Sequence, residues 1–154
     1  MSSEIARSSA VELARRWQDA ASVEDVVLVG NLLQAYALFT DAGAGDDLGR
    51  LFTADASWDG TALGYGVATG RSDIAKLVLS HHDADRPSVH LPGPPLVVRV
   101  ETGFEVFSWT VATRLSNGVT KPLIFFSYLD ALCLEDGALR FRSRRLELLL
   151  PAPS

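Results

Sequence analysis

Asp41 closes an apolar run, NLLQAYALFTD, and a glycine-rich turn, AGAGDD, follows at once. A carboxylate in that place reads in two ways. It is a solvated helix end, or it is an acid held at the mouth of a cavity, where it could do acid–base work. Tyr36 lies five residues earlier, not quite on the same helical face. It reads as a core aromatic or as a cavity phenol able to donate a hydrogen bond to a developing oxyanion. His90 opens a strand-like stretch, SVHLP, either as a structural histidine or as a general base.

Two other clusters invite chemistry. HHDAD, residues 81–85, has the composition of a metal site. Adjacent histidines on a helix point about 100° apart, and a catalytic zinc wants three convergent ligands, so no metal is expected here. Histidines near a helix C-terminus complement its dipole instead. Arg140, Arg142, Arg144 and Arg145 crowd a predicted strand. By period two the first three share a face, leaving Arg145 with Phe141 and Ser143. That face is either solvated or offers one inward arginine to an acidic or carbonyl substrate. The glycine clusters match neither GxGxxG nor a P-loop, and neither serine nor cysteine sits in a nucleophile elbow. No cofactor is expected.

The elements that must position these residues divide into two halves. Residues 4–20 carry a loose apolar stripe of Ile5, Val11, Leu13, Ala14 and Trp17. Ser22 with Asp25 resembles an N-cap. The helix it opens is apolar nearly all round, so burial on most sides is expected, with Gly43 and Gly45 as its stop. DDLGRLF reads as a short helix, ASWDG as a strand and turn, and SDIAKLVLSHH as a helix capped by Ser72, with Ile74, Leu77 and Val78 on one face. From residue 87 the text becomes β-branched, aromatic and leucine-rich, punctuated by SNG and EDG turns, and reads as antiparallel strands in hairpins. Helices followed by a meander mean an α+β fold, with helices packed on one face of a curved antiparallel sheet. Such a sheet can curl into a cone with a blind pocket, the natural place for a site.

Composition narrows the classes. At 154 residues the chain is expected to be one domain, burying roughly 70% of its unfolded surface. A net charge of −5 argues against nucleic acid. The lone Cys133, in the apolar run FFSYLDALCL, reads as a small buried hydrophobe in a reducing cytoplasm. No signal peptide is evident, and no stretch is expected to reach the roughly 18 apolar residues of a membrane span. A soluble, cytoplasmic protein is the expectation.

The order YALFTD, GDD, LFTADASWDG, GRSDIAKLV, SVH and YLDALCLEDGALRFRSRR resembles the SnoaL-like branch of the NTF2-like superfamily, the cone-shaped α+β barrels, over residues 22–148. That branch includes scytalone dehydratase, bile-acid 7α-dehydratase, polyketide cyclases and a dehydrochlorinase. The resemblance implies one domain over 22–150, a helical extension over 1–21 and a tail over 151–154. It also implies an aspartate–histidine pair, which falls on Asp41 and His90, 49 residues apart. Hydrogen-bonded to the carboxylate, the imidazole would be held as a base for a C–H proton. Tyr36 matches a tyrosine preceding the acid, Tyr65 falls near a second pocket tyrosine, and Arg144 near a cavity arginine, with Arg145 the other choice. Trp58, Phe107, Trp109 and Phe126 complete the expected substrate-binding set. The chain departs from scytalone dehydratase where that enzyme has a second histidine: Phe107, Ser108 or Trp109 stands there. The implied activity is a cofactor-independent lyase or isomerase acting on a small hydrophobic cyclic substrate, in a dimer or trimer. A non-catalytic binding or assembly module, or a cyclase or epoxide-hydrolase-like enzyme, are the other readings of the same cone.

Overall fold

The structure is a computed structural model describing residues 2–19, 21–116, 119–120 and 124–148. The elements are α1 (Ser2–Arg15), α2 (Val23–Ala42), α3 (Gly45–Arg50), β1 (Phe52–Asp59), β2 (Val67–Thr69), α4 (Arg71–Val78), β3 (Ser88–Pro92), β4 (Leu96–Val100), β5 (Gly103–Ser116), β6 (Val119–Thr120), β7 (Ile124–Glu135) and β8 (Ala138–Leu148). Short 3₁₀ turns occupy Thr61–Leu63 and Leu79–His81. The central residues of the SNG turn, the KPL that follows and the expected tail lie outside the described residues.

The long helix begins where the sequence says it should. The Ser22 hydroxyl accepts the Asp25 N–H at 3.1 Å, and the Asp25 carboxylate accepts the Ser22 N–H at 3.3 Å. That reciprocal pair satisfies two orphan donors and fixes the first turn. The helix buries Val29, Leu32, Leu33, Tyr36 and Ala37, while Val23, Val27, Leu28 and Leu38 stay exposed. Burial on most sides is therefore corrected: one sheet covers one face. By length and composition α2 is also apolar enough to cross a membrane, at 20 residues and a window hydropathy of 1.2, contrary to the expectation. In this fold it is the helix laid on the sheet. Gly43 ends it, but Gly45 opens α3 and stops nothing. Ser72 caps nothing either. α4 begins at Arg71 behind Gly70, and it ends at Val78, short of the histidines.

The sheet runs β2-β1-β8-β7-β5-β3, with β4 and β6 also on β5. It is curved and open. Among the described residues every pairing is antiparallel except β1 with β8, which is parallel, so the sheet is mixed. The all-antiparallel expectation fails because strands far apart in sequence meet where no hairpin links them. β7 and β8 are joined by the EDG hairpin, with Asp136 and Gly137 both at positive φ, the backbone that suits a two-residue turn.

Within that hairpin Ala131 pairs Ser143 while Leu132 pairs Phe141, so Arg142 is an extra residue. Such a bulge shifts the alternation by one. Phe141 and Arg144 are both buried, at 0% and 2% exposure. Strict period two puts them on opposite faces, and the bulge is the reason that it fails. Cys133 is half-buried rather than fully enclosed.

Candidate active site

A cavity of about 370 Å³ opens between α2, the Leu79–His81 turn and the sheet. Leu63, Val78, Ile124, Phe126 and Leu146 form its apolar wall. Tyr36, Trp58, Tyr65, Tyr128, Ser88 and His90 bring polar atoms to it.

Asp41, in the last turn of α2, does not line this cavity itself but binds two residues that do, Ser88 and His90. One carboxylate oxygen, Oδ1, lies 2.5 Å from His90 Nδ1 and accepts the Ser88 hydroxyl at 3.1 Å. The other, Oδ2, accepts the His90 backbone N–H at 2.9 Å. An ionised carboxylate can only accept, so this arrangement calls for a proton on Nδ1, and in the neutral ring the lone pair is then on Nε2. Strand parity supplies the partners. Ser88 and His90 are two apart on β3 and share a face, and both meet one carboxylate. The Phe126 ring stands edge-on to the imidazole at 6.4 Å between centroids.

The helix end is shaped around this contact. Gly43 holds φ 68°, and its N–H returns to the Phe39 and Thr40 carbonyls. A Cβ built there would stand 2.7 Å from His82 Nε2. Both the left-handed backbone and the packed imidazole demand glycine.

Tyr36 lines the cavity at 4% exposure, and its phenol oxygen accepts the Trp58 indole N–H at 3.0 Å. The phenol's own hydrogen therefore points elsewhere. Burial pushes Tyr36 well above the ordinary phenol range, with the neighbouring Tyr128 adding to the shift and Arg144 opposing it. Burial raises Tyr128 as well, again against Arg144. Both remain O–H donors at neutral pH.

Of the expected substrate-binding set, Trp58, Tyr65 and Phe126 line the cavity. Phe107, Trp109 and Arg144 do not. On β5 the even-numbered residues Phe104, Val106, Ser108, Thr110 and Ala112 are the buried ones, so Phe107 and Trp109 fall on the other face, where they pack edge to face at 4.8 Å; the cavity meets this strand further on, at Ala112, Thr113 and Arg114. Trp109 is 49% exposed. Arg144 lies behind the aromatic wall: its guanidinium sits 3.5 Å from the Tyr128 centroid, 4.2 Å from Tyr36 and 4.6 Å from Phe141. Its counter-ion is Asp130, at 3.5 Å. Burial pushes the Asp130 carboxyl up to about 7, with Arg144 pulling the other way. Arg145 is not the cavity arginine either; it pairs with Glu147 at 3.2 Å. Sequence reasoning missed Tyr128, Ser88 and Arg114, and weighed His81 and His82 only as metal ligands or dipole partners. For Tyr128 the signal was available, since it lies two residues from Phe126 on the same strand.

Among curated proteins none matches this sequence. The model of the SnoaL-like domain matches residues 21–145. The chain belongs to the SnoaL-like domain family. Solved structures agree on the NTF2-like fold. An NTF2-like protein with a cystatin-like fold from Novosphingobium aromaticivorans superposes with TM-score 0.74 at 22% identity, over 84% of this chain and 85% of that one. A second protein of that organism, provisionally named scytalone dehydratase, gives TM-score 0.67 at 22% identity over 80% and 83%. Aln2 from a Streptomyces species gives 0.69 at 21% over 83% and 93%. At these identities the likeness of this SnoaL-like chain to them is one of fold.

Proposed function

We propose that this SnoaL-like protein is a cofactor-independent lyase or isomerase acting on a hydrophobic cyclic compound. One observation carries the reading: the 2.5 Å contact between His90 Nδ1 and Asp41 Oδ1, with the imidazole on the wall of a cavity that also presents the apolar face of Leu63, Val78, Ile124, Phe126 and Leu146. In the proposed step Nε2 takes a proton from a carbon next to a carbonyl. The C–H electron pair passes into the carbonyl, and the enolate oxygen is met by a phenol O–H. Tyr128, whose oxygen accepts the Tyr36 hydroxyl, and Tyr65 are the phenols of the cavity that can donate to it. In an elimination the enolate then expels a hydroxyl from the adjacent carbon, which leaves as water with the proton from His90. In an isomerisation His90 returns that proton to a different carbon.

The ring nitrogens of His90 test this directly. In ¹⁵N-labelled protein at neutral pH, Nδ1 should show the shift of a protonated nitrogen and Nε2 that of a bare one. Asp41→Asn should scramble the two forms. A ring with Nε2 protonated in the wild type would defeat the base assignment and turn attention to the binding-module reading. In the lyase reading His90→Gln should lower turnover of an identified substrate by about 10²-fold or more.

A further inference from the structure

The chain carries three histidines and a net charge of −5. All three histidines, His81, His82 and His90, line the same cavity, and so does Arg114. Among the described residues no aspartate or glutamate lines it. An acidic protein has thus gathered its three imidazoles and one arginine at a single opening. His90 is engaged by Asp41, but the other three are not used by the proposed proton transfer.

Arg114 is placed to do more than hold the fold. It pairs with Ser88 across β3 and β5, one two-residue step beyond the His90–Ala112 pair and on the same face. One guanidinium nitrogen, Nη2, donates to the His81 carbonyl at 2.7 Å, which ties the strand to the turn across the opening. A guanidinium has five N–H groups, so most of its donors remain. Among the described residues no carboxylate pairs with it. Of the two acids of the HHDAD segment, Asp83 is engaged elsewhere: it pairs with Arg86 at 2.7 Å and accepts the Asp85 N–H at 3.0 Å. The His81 ring lies on Tyr65, 4.7 Å between centroids, and the His82 ring packs over Gly43. Both imidazoles are thereby held beside the same opening.

We propose that the cavity selects an anionic ligand, a hydrophobic ring bearing a carboxylate, with the carboxylate at Arg114 and the ring over Ile124 and Phe126. The inference rests on the reading of the cavity as the substrate site, and it names the substrate class. Arg114 and His90 are diagonal neighbours on adjacent strands, about 7–8 Å apart at the backbone, so the C–H that reacts lies across the ring from the carboxylate. A planar fork meets a carboxylate through two hydrogen bonds, and His81 and His82 can each add a donor.

The probes are 2-naphthoate and its neutral isostere 2-naphthamide, titrated calorimetrically into the full chain at neutral pH. The carboxylate should bind at least about ten-fold tighter, the discrimination expected of a hydrogen-bonded charge pair. Arg114→Gln should bring the two affinities together by weakening the carboxylate alone, and Arg114→Lys should keep part of the preference. If Arg114→Gln does not fold, His81→Asn with His82→Asn should still lower the preference. Equal affinities in the wild type, binding of neither probe, or a preference that survives Arg114→Gln overturns the inference. The His90 tautomer is read separately. An intact tautomer with equal affinities rejects only the anion site, and a lost tautomer with the preference kept rejects only the base.

Discussion

Asp41 was visible in the sequence because an acid ending an apolar helix is unusual, and its partner because the spacing resembled a known constellation. Their contact is the tightest feature of the site, since three separate donors converge on one carboxylate. Arg114 was not visible, because it does not depart from an ordinary strand pattern; only the register of β3 and β5 sets it beside Ser88 at the cavity. Tyr36 joins the site to the core. Its oxygen is the acceptor for the Trp58 indole, which is 2% exposed. Tyr36→Phe keeps the ring contacts and strands that N–H, so it should cost about 1–3 kcal/mol in urea denaturation. A phenylalanine protein as stable as wild type would mean that the indole finds another acceptor.

At the scale of elements, polar signals were the legible ones. The Ser22–Asp25 box and the EDG hairpin follow from local chemistry, which a single sequence carries in full. The errors came where tertiary packing decides. Ser72 has the right side chain for a cap, yet Gly70 takes that place and the helix begins two residues sooner. The bulge at Arg142 has no signature in an alternation that looks regular, and it alone decides that Arg144 turns inward. The C-terminus of α2 offers a test of how elements share the site. Gly43→Ala must hold a left-handed backbone, costing roughly 1–2 kcal/mol, and its methyl must displace the His82 ring. Thermal unfolding should report the first effect, and a shift of the His82 ring signals the second. Unchanged His82 signals would mean that the helix end moves instead.

The whole molecule adds a buried charge to this account. Asp130 and Arg144 lie at 4% and 2% exposure, beneath the phenols. The Asp130 carboxyl titrates near 7 in the folded chain against an ordinary value of 3.8. Between those values the folded chain keeps a proton that the unfolded chain has released. The stability this confers is fully present below the unfolded value and is lost as pH rises through 7. Resistance to urea should therefore grow as pH falls from about 8 to about 5, by up to about 1.4 kcal/mol per unit from this one group. Asp130→Asn should flatten that slope, and equal slopes in both proteins would locate the proton elsewhere. The sheet order has a consequence of another kind. β8 lies between β1 and β7, and the parallel pair Phe52–Phe141 joins residues 89 apart. On the ribosome β1 emerges long before its inner neighbour is made. At about 5–20 residues per second that delay is roughly 4 to 18 s, during which one edge of β1 has no strand to receive it.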